Sequence, residues 1–172
     1  LGEENALAFE SFPYVALAKT YSVNAQVSES AATMTALVTG VKTRADLIGL
    51  DENGVPGDYA SGERSRARTL VEEAEARGLS TGIVTTTRIT HATPASCYAH
   101  AAHREWEDDS MLPADAREAD FPDIARQFAE FAIGDGIDVA FGGGRAQFLP
   151  ERAKDPEHPG VVGARKDGRD LI

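Results

Sequence analysis

Met34, Leu37, Val38 and Val41 recur at the three-and-four spacing of one helical face, inside a run of small and apolar residues from Ala31 to Val38. That pattern predicts a helix opening at Ser30. Upstream, Tyr14–Val23 mixes β-branched and aromatic residues and is expected to form a strand leading towards Ser30. Between Leu47 and Gly62, the segment Asp51–Asp58 supplies the glycine, proline, asparagine and aspartate of a loop. Glu63 to Arg77 is dense in strong helix formers, sets Leu70, Val71 and Ala74 on one face and stops at Gly78 as a C-terminal cap. Ser80 to Thr86 then reads as a buried strand.

Pro94 suits the first turn of a further helix through Tyr98 to Arg104, and the acidic loop Glu105–Ser110 follows it. A fourth helix is expected from Pro122 to Ile133, with Ile124, Phe128 and Phe131 turned inward. Gly134-Asp135-Gly136 turns the chain into a short strand, Ile137–Phe141, closed by Gly142-Gly143-Gly144-Arg145. Helix, strand, helix, helix, strand is the rhythm of a layered α/β fold with a mainly parallel sheet. The tail from Glu151 to Ile172 is polar and turn-rich, without an internal repeat of anything before it.

The chain has 172 residues, 42% of them hydrophobic, which suits one domain with a sizeable core better than two independent ones. A formal charge of -11 argues against a general nucleic-acid binder, which needs a basic surface to displace counterions from phosphates. One small phosphate can still be held by a local cluster of donors, because the global charge is screened. Cys97 is the only cysteine, so no intrachain disulfide forms and the thiol is expected to pack as a small apolar group. Residues 1–10 have neither the basic start nor the apolar run of a signal peptide, and no apolar run approaches the length of a membrane span. The apolar pair Leu171–Ile172 at the last positions suggests an element cut in its middle, since a finished domain usually ends in polar, exposed residues.

Two segments carry candidate chemistry. A hydroxyl at Ser30 would face the free N–H groups and positive dipole end of the helix that starts there, a setting that favours an alkoxide or a phosphate oxygen. The same serine could equally be a helix cap. The second cluster is Thr90-His91-Ala92-Thr93-Pro94, with His100, His103 and Arg104 beyond it, just past the end of a strand where parallel α/β sheets place their ligands. Arg104 could grip phosphate through its planar fork, or form an ordinary ion pair with Glu105, Glu107 or Asp108. His100 and His103, three apart, could share a helical face and hold a metal, but two histidines are a small ligand set and core or surface roles serve as well.

Taken together, these segments resemble the alkaline phosphatases. That family carries an Asp-Ser-Ala-x-Thr-Ala-Thr-Ala nucleophile motif followed by Thr-Gly-x-Lys, and this chain has Glu29-Ser30-Ala31-Ala32-Thr33-Met34-Thr35-Ala36 and then Thr39-Gly40-Val41-Lys42. A second family segment, Thr-Thr-Arg-x-Thr-His-Ala-Thr-Pro-Ala with an arginine ten residues past the proline, is matched by Thr86–Ala95 and Arg104. Phe12-Pro13-Tyr14, Lys19-Thr20-Tyr21, Asn24-Ala25-Gln26-Val27, Gly142-Gly143-Gly144-Arg145 and Arg165-Lys166-Asp167-Gly168-Arg169 also look like family segments, so the resemblance covers nearly the whole chain.

The resemblance implies a three-layer α/β/α fold with a mainly parallel central sheet, incomplete in this chain, and hydrolysis of phosphate monoesters through a phosphoserine at Ser30. It implies two zinc ions and one magnesium. By position, Arg104 looks like the arginine that grips two phosphate oxygens, Thr93 like the hydroxyl ligand of magnesium, and Ser30 like the group whose alkoxide meets zinc. His91 stands where members have aspartate or histidine, close to the magnesium and acting through water. A homodimer and a periplasmic or secreted location are implied as well.

Two departures stand out: Glu29 replaces the aspartate beside the nucleophile, which in the family helps position the arginine, and Ser28 stands where proline is common. The early Gly-Asp-Gly-Met-Gly segment and the later zinc ligands of the family are not found here, so residues 1–172 are expected to be an inactive internal piece of the catalytic domain. A serine acyl hydrolase is disfavoured, because neither a Gly-x-Ser-x-Gly elbow nor a Ser-x-x-Lys motif surrounds Ser30. A non-catalytic phosphate-binding or interaction module, using the glycine run before Arg145, is the remaining alternative.

Overall fold

The computed structural model describes residues 2 and 4–172; Leu1 and Glu3 of the opening stretch lie outside the described residues. Six short helices and two strands follow in the order α1 (Ser30–Thr39), α2 (Tyr59–Arg64), α3 (Leu70–Glu75), β1 (Gly82–Arg88), α4 (Ala92–Ala95), α5 (Ala114–Glu118), α6 (Ile124–Ala129) and β2 (Val139–Gly143). The strands pair in parallel, with Gly82 opposite Val139 and Val84 opposite Phe141. A parallel pair needs a crossover, and the segment from α4 to α6 supplies it. The α/β class expected of the sequence holds, with a sheet of two strands among the described residues.

The sheet is less buried than the sequence suggested. Ile83 is buried, whereas Val84 is 75% exposed and β2 is exposed throughout. Tyr14–Val23 forms no strand; no neighbouring strand among the described residues takes its backbone groups, and its side chains face solvent apart from Ser22. The core lies instead around Leu47, Ile48 and Leu50, which pack with Ala95, Tyr98, Ala99, Trp106 and Ile124. An antiparallel bridge between Ile48 and Ala101 pins the two segments together.

Several helices are shorter than their patterns predicted, each for a local reason. Glu63–Arg77 breaks between α2 and α3 because Arg66 bridges to Leu50 and Thr69 starts a new helix, in a capping box with Glu72. Gly78 then ends the turn as expected, at a φ of 69°. Leu70 is exposed; Val71 is half-buried, and Glu72 and Glu75 take the inward positions. The helix opened around Pro94 lasts a single turn, since Ala101 is drawn into the bridge with Ile48. α6 covers only the middle of the expected Pro122–Ile133 helix, ending at Ala129, but the inward residues are as read, with Ile124 buried and Phe128 and, beyond the helix, Phe131 against the core. Cys97 is buried and free.

α1 also turns a different face inward. Ala31, Ala32 and Thr35 are buried, Met34 and Val38 flank them, and Leu37 is 73% exposed. Small residues let α1 lie close to α4, where the Ser96 hydroxyl donates to the Ala31 carbonyl at 3.4 Å and receives the Thr35 hydroxyl at 3.4 Å. The helical turn that carries Thr93 is thus fastened, through Ser96 at its end, to the helix that carries Ser30.

Candidate active site

Glu29 caps α1. Its Oε2 accepts the Ala31 N–H at 2.6 Å and its Oε1 the Ala32 N–H at 2.7 Å, with the Asp46 N–H at 3.2 Å on Oε1. A carboxylate is well suited there, since it satisfies orphan donors and lies at the positive end of the helix dipole. Ser30 is therefore the first helical residue and not the cap, half-buried beside it. Two of the N–H groups that the sequence left free for its hydroxyl are taken by its neighbour.

The same carboxylate reaches across to Arg104, whose Nη1 donates to Glu29 Oε2 at 2.8 Å. Arg104 Nη2 lies 3.3 Å from His91 Nε2. A guanidinium offers only donors, so Nε2 is the acceptor and the ring proton sits on Nδ1. That Nδ1 is buried without a partner among the described residues, an orphaned donor beside the guanidinium. Thr93, two residues further on, presents an exposed side chain from α4. The structure thus joins Glu29, Arg104 and His91 directly, with Ser30 and Thr93 adjacent to them along the chain.

Behind His91, Arg88 donates to both oxygens of Glu107, at 2.7 and 2.6 Å, and the Thr90 hydroxyl adds a third bond at 2.6 Å. Burial pushes the Glu107 carboxyl up, but Arg88 and Thr90 outweigh it and hold the group below its ordinary value. Glu107 thus fixes Arg88 and Thr90, on either side of Ile89 in the turn that leads to His91. The sequence offered Glu107 only as one of three possible partners of Arg104, because nothing in the acidic run Glu105–Asp109 sets it apart from its neighbours, and the structure gives it to Arg88 instead.

Other candidates are not brought to this place. His100 is buried between the Gly49 carbonyl, 2.7 Å from Nδ1, and Glu72 Oε1, 2.9 Å from Nε2. His103 accepts the Glu105 N–H and lies against the Trp106 ring, so the two histidines do not form a metal pair. Arg145 is committed to Asp155 and Glu157, and the glycine run does not form a phosphate loop: Gly142 and Gly143 are the end of β2 and only Gly144 turns the chain, at a φ of 94°. Among the described residues the one group of three potential metal ligands is Asp109, Asp123 and Asp167, and the Arg165 guanidinium already stands among them.

The alkaline phosphatase sequence profile matches residues 1–172. The chain is 45% identical over 174 residues to an alkaline phosphatase of Gadus morhua, covering 99% of this chain and 36% of that protein. A solved alkaline phosphatase from the Antarctic bacterium TAB5 superposes with a TM-score of 0.68 at 28% identity, over 98% of this chain and 37% of that one. A histidine-to-aspartate mutant of the TAB5 enzyme, with Mg bound in its M3 site, superposes with a TM-score of 0.64 at 30% identity, over 85% of this chain and 34% of that one. The chain spans about a third of the length of the curated relatives it matches. With the profile matched from end to end and the fold shared, the chain belongs to the alkaline phosphatase family.

Proposed function

We propose that this chain carries the nucleophile and the phosphate grip of a metal-dependent phosphomonoester hydrolase. The observation that supports it most is Arg104, held between His91 and Glu29, the residue that precedes Ser30 and caps α1. A transferring phosphoryl group needs donors fixed in advance around its oxygens, and a planar guanidinium with two anchored corners meets that need. Ser30 Oγ forms the bond to phosphorus as the P–O bond to the alcohol breaks, and the serine proton ends on the departing alcohol. Water then releases inorganic phosphate from the phosphoserine. Recognition concentrated on the phosphate leaves the alcohol loosely specified, so many monoesters serve.

The residues present fit a magnesium ion in part. Thr93 offers a hard oxygen, and the orphaned Nδ1–H of His91 can donate to water in the ion's hydration shell. A divalent ion bound there would supply electrostatic stabilisation of developing negative charge. Zinc is different. A protein zinc site takes four ligands, and Ser30 is the one side chain here proposed to reach it, so residues 1–172 do not hold the two zinc ions by themselves. We read the chain as part of a catalytic domain whose remaining ligands lie on other segments, with little turnover of its own and a homodimer as the complete assembly.

The test uses the complete polypeptide that carries this chain and a chromogenic phosphate monoester. Turnover should require divalent metal, stop with a chelator and vanish in Ser30→Ala. Phosphate binding without turnover would favour a binding module instead. Cleavage of carboxylic esters without metal would mark an acyl hydrolase. No helix of the described residues is long and apolar enough to cross a membrane.

A further inference from the structure

Arg104 lies between two carboxylates that are held very differently. Glu29 is 27% exposed at its side chain, bonds Arg104 at 2.8 Å and is anchored by the N–H groups of Ala31, Ala32 and Asp46. Glu105 is 55% exposed, stands 3.4 Å from Arg104 Nε, and makes no side-chain hydrogen bond among the described residues. Its backbone, by contrast, is fixed: the Glu105 N–H donates to His103 Nδ1 at 3.2 Å, and the His103 ring lies against the buried Trp106. A pinned backbone with a loose carboxylate can reach the guanidinium or leave it by side-chain rotation alone.

We infer that Glu105 is a displaceable placeholder on Arg104, covering the Nε side of the guanidinium until a phosphate oxygen takes that place, and thereby setting how tightly phosphate is retained. The inference rests on reading Arg104 as the phosphate grip. An exposed carboxylate pair contributes little, whereas a phosphate dianion makes charge-assisted bonds to two corners of the fork at once, so the exchange runs towards phosphate. Glu29 cannot play this part, because leaving would strip two helix N–H groups of their acceptor. Once displaced, Glu105 remains close to the bound dianion, and their repulsion speeds release of the product. Neutralising Glu105 removes both the competition and the repulsion.

The inhibition constant of inorganic phosphate, measured on the complete metal-loaded polypeptide, tests this. Glu105→Gln and Glu105→Ala should each bind phosphate about two- to fivefold more tightly than the parent, with KM for a monoester lowered in the same sense. The gap should narrow as salt is raised, since the competing charge is exposed. A purely structural role would weaken binding and not tighten it. If both variants bind phosphate as the parent does, or less well, while Arg104→Ala loses phosphate inhibition, the placeholder is refuted and the phosphate grip stands. If Arg104→Ala leaves phosphate inhibition unchanged, the reading of Arg104 itself fails.

Discussion

The Arg104 guanidinium and the Glu29 carboxylate, 75 positions apart in the chain, meet at 2.8 Å. One carboxylate thus performs two tasks, closing the first turn of α1 and fixing the side chain proposed to grip phosphate. The extra methylene of glutamate over aspartate is used in full, since its two oxygens span Ala31, Ala32, Asp46 and Arg104 together.

Glu29→Asp should therefore shift Arg104 and change the affinity for inorganic phosphate. Phosphate inhibition of the complete polypeptide measures it, and an unchanged constant would contradict the coupling. Glu29→Ala is the harsher change, removing the cap and leaving a largely buried guanidinium with one fewer partner. A stability loss of about 1–3 kcal/mol is expected from urea unfolding.

Gly49 is the tightest point of the core near these elements. A Cβ there would stand 2.2 Å from the Ala99 carbonyl oxygen and 2.8 Å from His100 Nδ1, at a backbone φ of 60° that side chains other than hydrogen resist. Its N–H donates to Thr35 Oγ1 of α1 at 3.0 Å, so any shift is passed to the helix carrying Ser30. Gly49→Ala should cost about 2–4 kcal/mol of stability. A thermal midpoint equal to the parent's would show that the segment can move aside freely.

Acid should loosen the turn that holds His91. With Glu107 held below its ordinary value by Arg88 and Thr90 against the opposing effect of burial, the folded form binds its proton less readily than the unfolded chain. The stability it contributes is present above the unfolded carboxylate range, near about pH 4.3, and is lost as pH falls through the lower folded value. Burial opposes, but the His100 bond and charge, the Thr69 N–H and Arg68 likewise lower Glu72, so its share is lost in the same direction. Glu107→Gln should be less stable than the parent at neutral pH by about 1 kcal/mol and should lose less on acidification. Denaturant midpoints taken from about pH 6 down to pH 3 measure the slope, and parallel slopes would remove Glu107 from the account.

Much of this was legible in the residues. The helix opening at Ser30, the stop at Gly78, the inward face of α6 and the parallel α/β order follow from periodicity and turn chemistry, which act locally. Tyr14–Val23 misleads because a strand is made by its neighbour, and none of the described residues supplies one. The break between α2 and α3 was hidden for a similar reason: residues with good helix propensity are pulled into a bridge to Leu50, a contact no local pattern contains. At the site, family motifs marked Ser30, His91, Thr93 and Arg104, and the substitution at Glu29 was visible as a departure. Charge partners were visible only in part: Glu105 stood open as a partner for Arg104, but so did Glu107 and Asp108. Glu105, Glu107 and Asp109 belong to one acidic run, yet they face Arg104, Arg88 and the Arg165 cluster respectively, and only the folded path of the chain sorts them.

Arg165 gives the sharpest test of that sorting. It is fully buried in a tail that reads as polar and turn-rich, with Nη2 at 2.6 Å from Asp167, 2.8 Å from Asp123 and 3.9 Å from Asp109. Burial pushes the Asp123 carboxyl up even with the guanidinium beside it, so Asp123 depends on this cation to stay charged. Arg165→Met should cost about 3–5 kcal/mol, because it leaves carboxylates facing one another with their positive partner gone. Their ligand oxygens lie within 4.8 Å of one another, close enough to converge on an ion that prefers oxygen donors. Calcium should accordingly raise the unfolding midpoint of Arg165→Met and leave that of the parent, where the guanidinium fills the space, much less affected. Should the variant unfold like the parent, or ignore calcium while losing stability, the trio is not the mutually repelling cluster that its geometry describes.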